Sequence, residues 1–142
     1  SPYPVIISRN SEAKEIFGVE INPFAHEYAE KNILLNKIEN VKLYNGDVTD
    51  ILPKIKKKFD RILMPLPKGA EAFLGVALSK IKNKGTIHFY DFLDKQDIPN
   101  LAIEKIKKSC KEAKKNFKIL DVVKCGQYSP GKYRICVDFR IL

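Results

Sequence analysis

Apolar and polar residues recur along this chain in short blocks that switch between a two-residue period and a helical one. The first clear block is Phe17-Gly18-Val19-Glu20-Ile21, where Phe17, Val19 and Ile21 favour a strand. It ends in an acid and turns at once into a helix, because Asn22 is a good N-cap and Pro23 falls at the first helical position. Helical spacing then sets Phe24, Tyr28, Ile33, Leu34 and Leu35 on an apolar face, with Ala25 and Ala29 between them. Before this block, Val5, Ile6 and Ile7 are apolar, and Tyr3-Pro4 can open a helix.

The pattern repeats. Val41-Lys42-Leu43-Tyr44 alternates as a strand and runs into Asn45-Gly46-Asp47-Val48, followed by a short helix over 49–57. Phe59 to Met64 is a strand, nearly continuous in apolar residues after Arg61, and it enters Pro65-Leu66-Pro67-Lys68-Gly69. A helix over 71–81 carries Phe73, Leu74, Ala77, Leu78 and Ile81 on one side, and Gly85 reads as its C-cap glycine. Thr86 to Phe92 is a strand with His88 inside it. The span 97–116 is a long helix whose buried stripe is Leu101, Ile103, Ile106, Cys110 and Ala113. Strands over 117–124 and 133–142 flank Pro130-Gly131, a type II turn signal, and predict an antiparallel hairpin. Four strand–helix units followed by a hairpin predict an α/β fold. Its sheet is mostly parallel, with helices on both faces and one reversed strand near an edge.

Composition narrows this picture. A chain of 142 residues with 44% hydrophobic content has about one domain's length and can bury a real core. The formal charge of +9 favours a polyanionic partner such as nucleic acid. Six lysines on the polar face of the 97–116 helix (Lys105, Lys107, Lys108, Lys111, Lys114 and Lys115) read first as a solvated face, and more sharply as a phosphate-contacting one. Cys110, Cys125 and Cys136 are odd in number and widely spaced, so they form neither a zinc motif nor a disulfide framework, and a reducing cytoplasm fits best. No apolar run is long enough for a transmembrane helix.

The candidate chemistry lies at strand ends. Glu20 closes the second strand of an open α/β pattern, where a carboxylate can accept from both hydroxyls of a ribose; the plain alternative is a surface acid. Asp47 follows a strand on the same rim and can accept from an exocyclic amine, cap the next helix, or do both. Pro65 and Pro67 stiffen a strand exit and leave carbonyls to face a flat ring, whereas the plain reading is a connecting loop. A single strand histidine such as His88 is more often structural than catalytic. Asp91, read as the tip of its strand, is a weak candidate for a base.

In that order, the acid after one strand, the Asp after the next and the closing hairpin resemble the class I S-adenosylmethionine-dependent methyltransferases. The runs VEINPFAHEYAEKNILLNKIENV, NGDV, DRILMPLPKGAEAFL, GTIHFYDF and YSPGKYRICVDF resemble the archaeal and eukaryotic tRNA (guanine-N1)-methyltransferase family over nearly the whole chain. The resemblance implies a Rossmann-like sheet, S-adenosyl-L-methionine as cofactor, and methyl transfer to N1 of the guanosine 3′ of the tRNA anticodon. It implies that Glu20 holds the cofactor ribose, that Ile21 and Asn22 flank the adenine, and that Asp47 and Val48 contact it. Pro65, Leu66 and Pro67 would line the space between methyl donor and target base, with Pro65 standing where much of the family has Asn. It further implies one catalytic domain over 1–142 that lacks its first strand and glycine-rich loop. The base would then lie upstream, and the protein would act as a monomer without metal or membrane. Two alternatives stand beside this: an aminocarboxypropyl transferase acting on the same tRNA nucleotide, and a non-catalytic RNA-binding module of the same fold. A Rossmann dehydrogenase also places an acid after its second strand, but the hairpin argues against it.

Overall fold

A computed structural model describes residues 2–65 and 68–142. The chain divides into two compact units, Ser1–Ile55 and Lys56–Leu142.

The first unit contains α1 (Tyr3–Asn10), β1 (Ile16–Glu20), α2 (Pro23–Leu35), β2 (Val41–Asn45) and α3 (Val48–Ile51). β1 and β2 pair in parallel from Ile16 opposite Val41 to Glu20 opposite Asn45. The cap expected at Asn22 is present: its Oδ1 accepts from the Phe24 and Ala25 amides at 2.9 and 3.3 Å. The apolar face expected on α2 is not buried. Phe24, Tyr28, Leu34 and Leu35 are 66–79% exposed, and the inward positions are Ala25, Ala29 and Ile33, of which Ala29 is buried. Those three recur every fourth residue, so the inward stripe keeps Ile33 of the expected face and otherwise consists of two alanines. The expected helix over 49–57 stops early: α3 passes into a 3₁₀ turn over Leu52–Lys54, where Pro53 lacks an amide to continue the α ladder.

The second unit contains β3 (Phe59–Met64), α4 (Leu74–Lys80), β4 (Ile81–Asp94), α5 (Asn100–Glu112), β5 (Phe117–Ser129) and β6 (Lys132–Ile141). Its sheet has the order β3-β4-β6-β5. β3 pairs in parallel with β4, and β6 is antiparallel to both β4 and β5, so β6 alone is reversed and sits one place in from the edge. The Pro130-Gly131 turn forms as expected, with Gly131 at φ 75° in the left-handed position. One sheet face meets α4 and α5. Ile87, Phe89, Val137 and Phe139 project from the strands against Leu74 and Leu78 of α4 and Ile106 of α5, all of them fully buried. α5 is shorter than expected, and Ala102, Ile106 and Cys110 form its buried stripe while Leu101 is 39% exposed.

Gly85 is not the helix cap that the sequence suggested. α4 ends at Lys80 and its cap is Ile81; the left-handed residue is Lys84, at φ 63°. Gly85 is instead buried in an irregular stretch of β4. There, an added Cβ would lie 2.7 Å from two Ile81 side-chain carbons and 2.8 Å from the Lys82 carbonyl oxygen. A backbone oxygen cannot rotate away, so Gly85→Ala destabilises the protein by about 1–3 kcal/mol. Urea unfolding checks this, and an unchanged midpoint contradicts it.

Candidate functional site

The tips of β1 and β2 are locked together. The Glu20 carbonyl accepts from the Gly46 amide at 3.0 Å and from Asn45 Nδ2 at 2.7 Å. Glu20 Oε1 accepts from the Asn22 amide at 3.0 Å, which turns the half-buried carboxylate toward the start of α2. Among the described residues that oxygen alone is bonded, and Oε2 stays available to a hydroxyl. Ile21, between them, is 66% exposed and offers an apolar surface beside the carboxylate.

Asp47 opens α3 as its N-cap. Its Oδ1 accepts from the Thr49 amide at 2.8 Å and from Thr49 Oγ1 at 2.6 Å. These two bonds, the side-chain one first, hold the Asp47 carboxyl below the usual carboxylate range, so it stays anionic near neutral pH. Oδ2 is left to accept from an amine. The first unit thus brings Glu20, Ile21, Asn22, Asp47 and Val48 onto one rim, tied by the Gly46 and Asn45 bonds. Pro65 is exposed at the exit of β3 in the second unit; Leu66 and Pro67 lie outside the described residues.

Asp91 is not at a strand tip. β4 continues to Asp94, and Asp91 is 3% exposed on the face that packs toward α5. Its Oδ2 accepts from Lys105 Nζ at 2.8 Å, and its Oδ1 from the Phe92 amide at 2.9 Å. Burial pushes the Asp91 carboxyl up, opposed by the Lys105 bond and charge. An acid so enclosed pins a helix to a strand and does not reach a substrate.

Sequence reasoning missed a polar row on the other face of the second sheet. His88 Nδ1 lies 2.6 Å from Asp138 Oδ1, and Arg61 lies 2.9 Å from His88 Nε2. A guanidinium only donates, so Nε2 accepts and Nδ1 donates to Asp138. Cys136 donates to the same carboxylate oxygen at 3.3 Å, and burial, with Asp138 beside it, pushes its thiol up to about 12. His88, Cys136 and Asp138 offer ligand atoms within 4.8 Å of one another. A divalent cation there would displace protons from Nδ1 and Sγ and sit beside the Arg61 charge. The feature that reveals this row is the register of β4 against β6, which sets His88 opposite Asp138.

Comparison with known proteins gives the family and the fold. Residues 1–120 match the TRM5/TYW2 methyltransferase domain family. The tRNA (guanine(37)-N(1))-methyltransferase Trm5b of Pyrococcus abyssi is 35% identical over 99% of this chain and 41% of its own length. The tRNA(Phe) (4-demethylwyosine(37)-C(7)) aminocarboxypropyltransferase of Methanocaldococcus jannaschii is 28% identical over 96% of this chain and 54% of its own. The crystal structure of M. jannaschii TYW2 in complex with AdoMet superposes with a TM-score of 0.86 at 26% identity, covering 98% of this chain and 63% of that one. This chain therefore spans about half the length of the relatives it matches. It belongs to the TRM5/TYW2 methyltransferase domain family, and its fold is the mixed α/β fold of that family.

Proposed function

We propose that this chain is part of the catalytic region of an enzyme that transfers a methyl group from S-adenosylmethionine to N1 of guanosine 37 in tRNA. The observation that carries the reading is the Glu20–Asp47 rim, with two carboxylates that each keep one oxygen available and an exposed Ile21 next to the first. The residues fit the cofactor. Glu20 Oε2 would accept from the ribose hydroxyls and Asp47 Oδ2 from the adenine amino group, and Ile21 would offer an apolar side to the ring. Asn22 aims Glu20 through its amide, and Val48 packs at the start of α3.

Guanine N1 carries a proton at neutral pH, so a base must remove it while the methyl group is held in line. Among the described residues of this rim no side chain suits that task, and we place the base outside these residues. Pro65 has neither an amide N–H nor a side-chain amide, so its carbonyl is the group left to accept from the guanine. β1 pairs only with β2, and β3 only with β4, among the described residues, so each keeps an edge that a strand of the full-length protein can occupy. The three cysteines are free, and no described helix is long and apolar enough to cross a membrane. We place the enzyme in the cytoplasm as a monomer.

The test uses full-length protein, S-adenosylmethionine, and tRNA transcripts with guanosine or adenosine at position 37. Mass spectrometry of the nucleosides should show N1-methylguanosine with the first transcript only. An aminocarboxypropyl adduct would favour the rival transferase. Cofactor and tRNA binding without any transfer would favour a non-catalytic RNA-binding module.

A further inference from the structure

The face of the second sheet opposite α4 and α5 carries an aromatic pair at one end. The rings of Phe92, on β4, and Tyr128, on β5, have centroids 4.5 Å apart and are tilted by 36°. Phe92 is half-buried, whereas Tyr128 is 68% exposed, a large apolar ring left open to solvent. Between their strands runs β6, where Arg134 stands opposite both Phe92 and Gly126. Gly126 contributes no side chain, and nothing lies within 4 Å of where its Cβ would be, so the rings have open space beside them.

Charge and position give this end its meaning. From Lys124 to Arg134 the hairpin tip holds Lys124, Lys132 and Arg134 and no carboxylate. The nearest acid along the paired strand is Asp94, opposite Lys132. β3 leaves the sheet just beyond Met64, which pairs with Phe89, and Phe92 lies farther along β4 in the same direction. The pair therefore stands on the order of 10 Å along the strands from the exit of β3 into the proline segment.

We propose that Phe92 and Tyr128, flanked by Lys132 and Arg134, form a stacking site for an unpaired nucleobase of the RNA substrate next to the target guanosine. This rests on the reading of the substrate as tRNA. An exposed ring supplies a flat apolar face to a base of any identity, and the surrounding cations meet the phosphates on either side. Such a site positions the strand for reaction and makes no contact with the reacting atoms.

The experiment uses full-length protein with tRNA transcript and S-adenosylhomocysteine. Tyr128→Ala should weaken tRNA binding by roughly tenfold or more, Tyr128→Phe should leave it within about twofold, and S-adenosylhomocysteine affinity should be unchanged in both. Hydroxyl-radical footprinting should show Tyr128 reactive in the free enzyme and protected by tRNA. Unchanged tRNA affinity in Tyr128→Ala would overturn the site while leaving the proposed function intact. Equal losses in Tyr128→Ala and Tyr128→Phe would overturn stacking in favour of a hydroxyl contact. A Tyr128 already protected in the free enzyme would show that another segment of the protein covers this face, and would overturn the proposal too. Failure of the parent enzyme to bind tRNA would overturn both this site and the substrate reading.

Discussion

Glu20→Ala in the full-length protein is expected to raise the dissociation constant for S-adenosylhomocysteine by roughly a hundredfold. The Glu20 carboxylate is held in place by the Asn22 amide at 3.0 Å, so its second oxygen is already aimed before any ligand arrives. Two charge-assisted hydrogen bonds to ribose hydroxyls are worth about 1.5 kcal/mol each or more, and about 3 kcal/mol together is two decades of affinity. Glu20→Gln keeps an oxygen for the Asn22 amide but loses the charge, so roughly a tenfold loss is expected there. Calorimetric titration of both variants beside the parent checks the order. An affinity for Glu20→Ala within twofold of the parent would remove this residue from the cofactor site. Thermal unfolding serves as the control, because the bond to Asn22 is itself worth about 1 kcal/mol of local stability.

This rim was the most legible part of the chain. The acid, the N-cap and the N1 proline are consecutive, and each acts through backbone groups within three residues, so sequence order alone determines their geometry. Asp47 is legible for the same reason: both its helix-capping bonds go to Thr49. Features that depend on distant partners were not. His88 finds Asp138 fifty positions away, and only the pairing of β4 with β6 puts the two side by side. Asp91 was read as a strand tip because the local pattern weakens after Phe92, whereas β6 carries the pairing on to Asp94. Gly85 looked like a helix cap because it follows Asn83-Lys84, but its cause is the closeness of Ile81 and the Lys82 carbonyl. On α2 the larger apolar residues suggested the buried face, and of these only Ile33 turns inward, in line with Ala25 and Ala29.

The largest expected stability change lies at the pair that sequence misplaced. Lys105 Nζ donates to Asp91 Oδ2 at 2.8 Å and lies 3.7 Å from Glu71 Oε1; the side chains of Lys105 and Asp91 are 24% and 4% exposed. Lys105→Met removes the cation paired with the buried Asp91 carboxylate. Breaking a fully buried pair costs about 3–5 kcal/mol, and the partial exposure of Lys105 reduces this to roughly 2–4 kcal/mol. The melting temperature should fall by roughly 5–15 °C. The double variant Lys105→Met with Asp91→Asn should recover much of that loss, since no buried charge is then left uncompensated.

The pH dependence follows from the direction of the Asp91 shift. Its folded carboxyl lies above the ordinary value of 3.8, because desolvation outweighs the Lys105 bond. The stability linked to this group is therefore fully present below about 3.8 and is lost as pH rises through the folded value. Removing Lys105 raises the folded value further. The variant should thus fall behind the parent progressively as pH rises from 4, and the gap should narrow again on acidification. Urea unfolding of parent and variant between about pH 4 and 8 measures this gap directly, and titrations shared by both proteins cancel in the difference. A gap that stays constant across the range would mean that Lys105 stabilises α5 through the packing of its aliphatic stem, with its charge contributing nothing measurable.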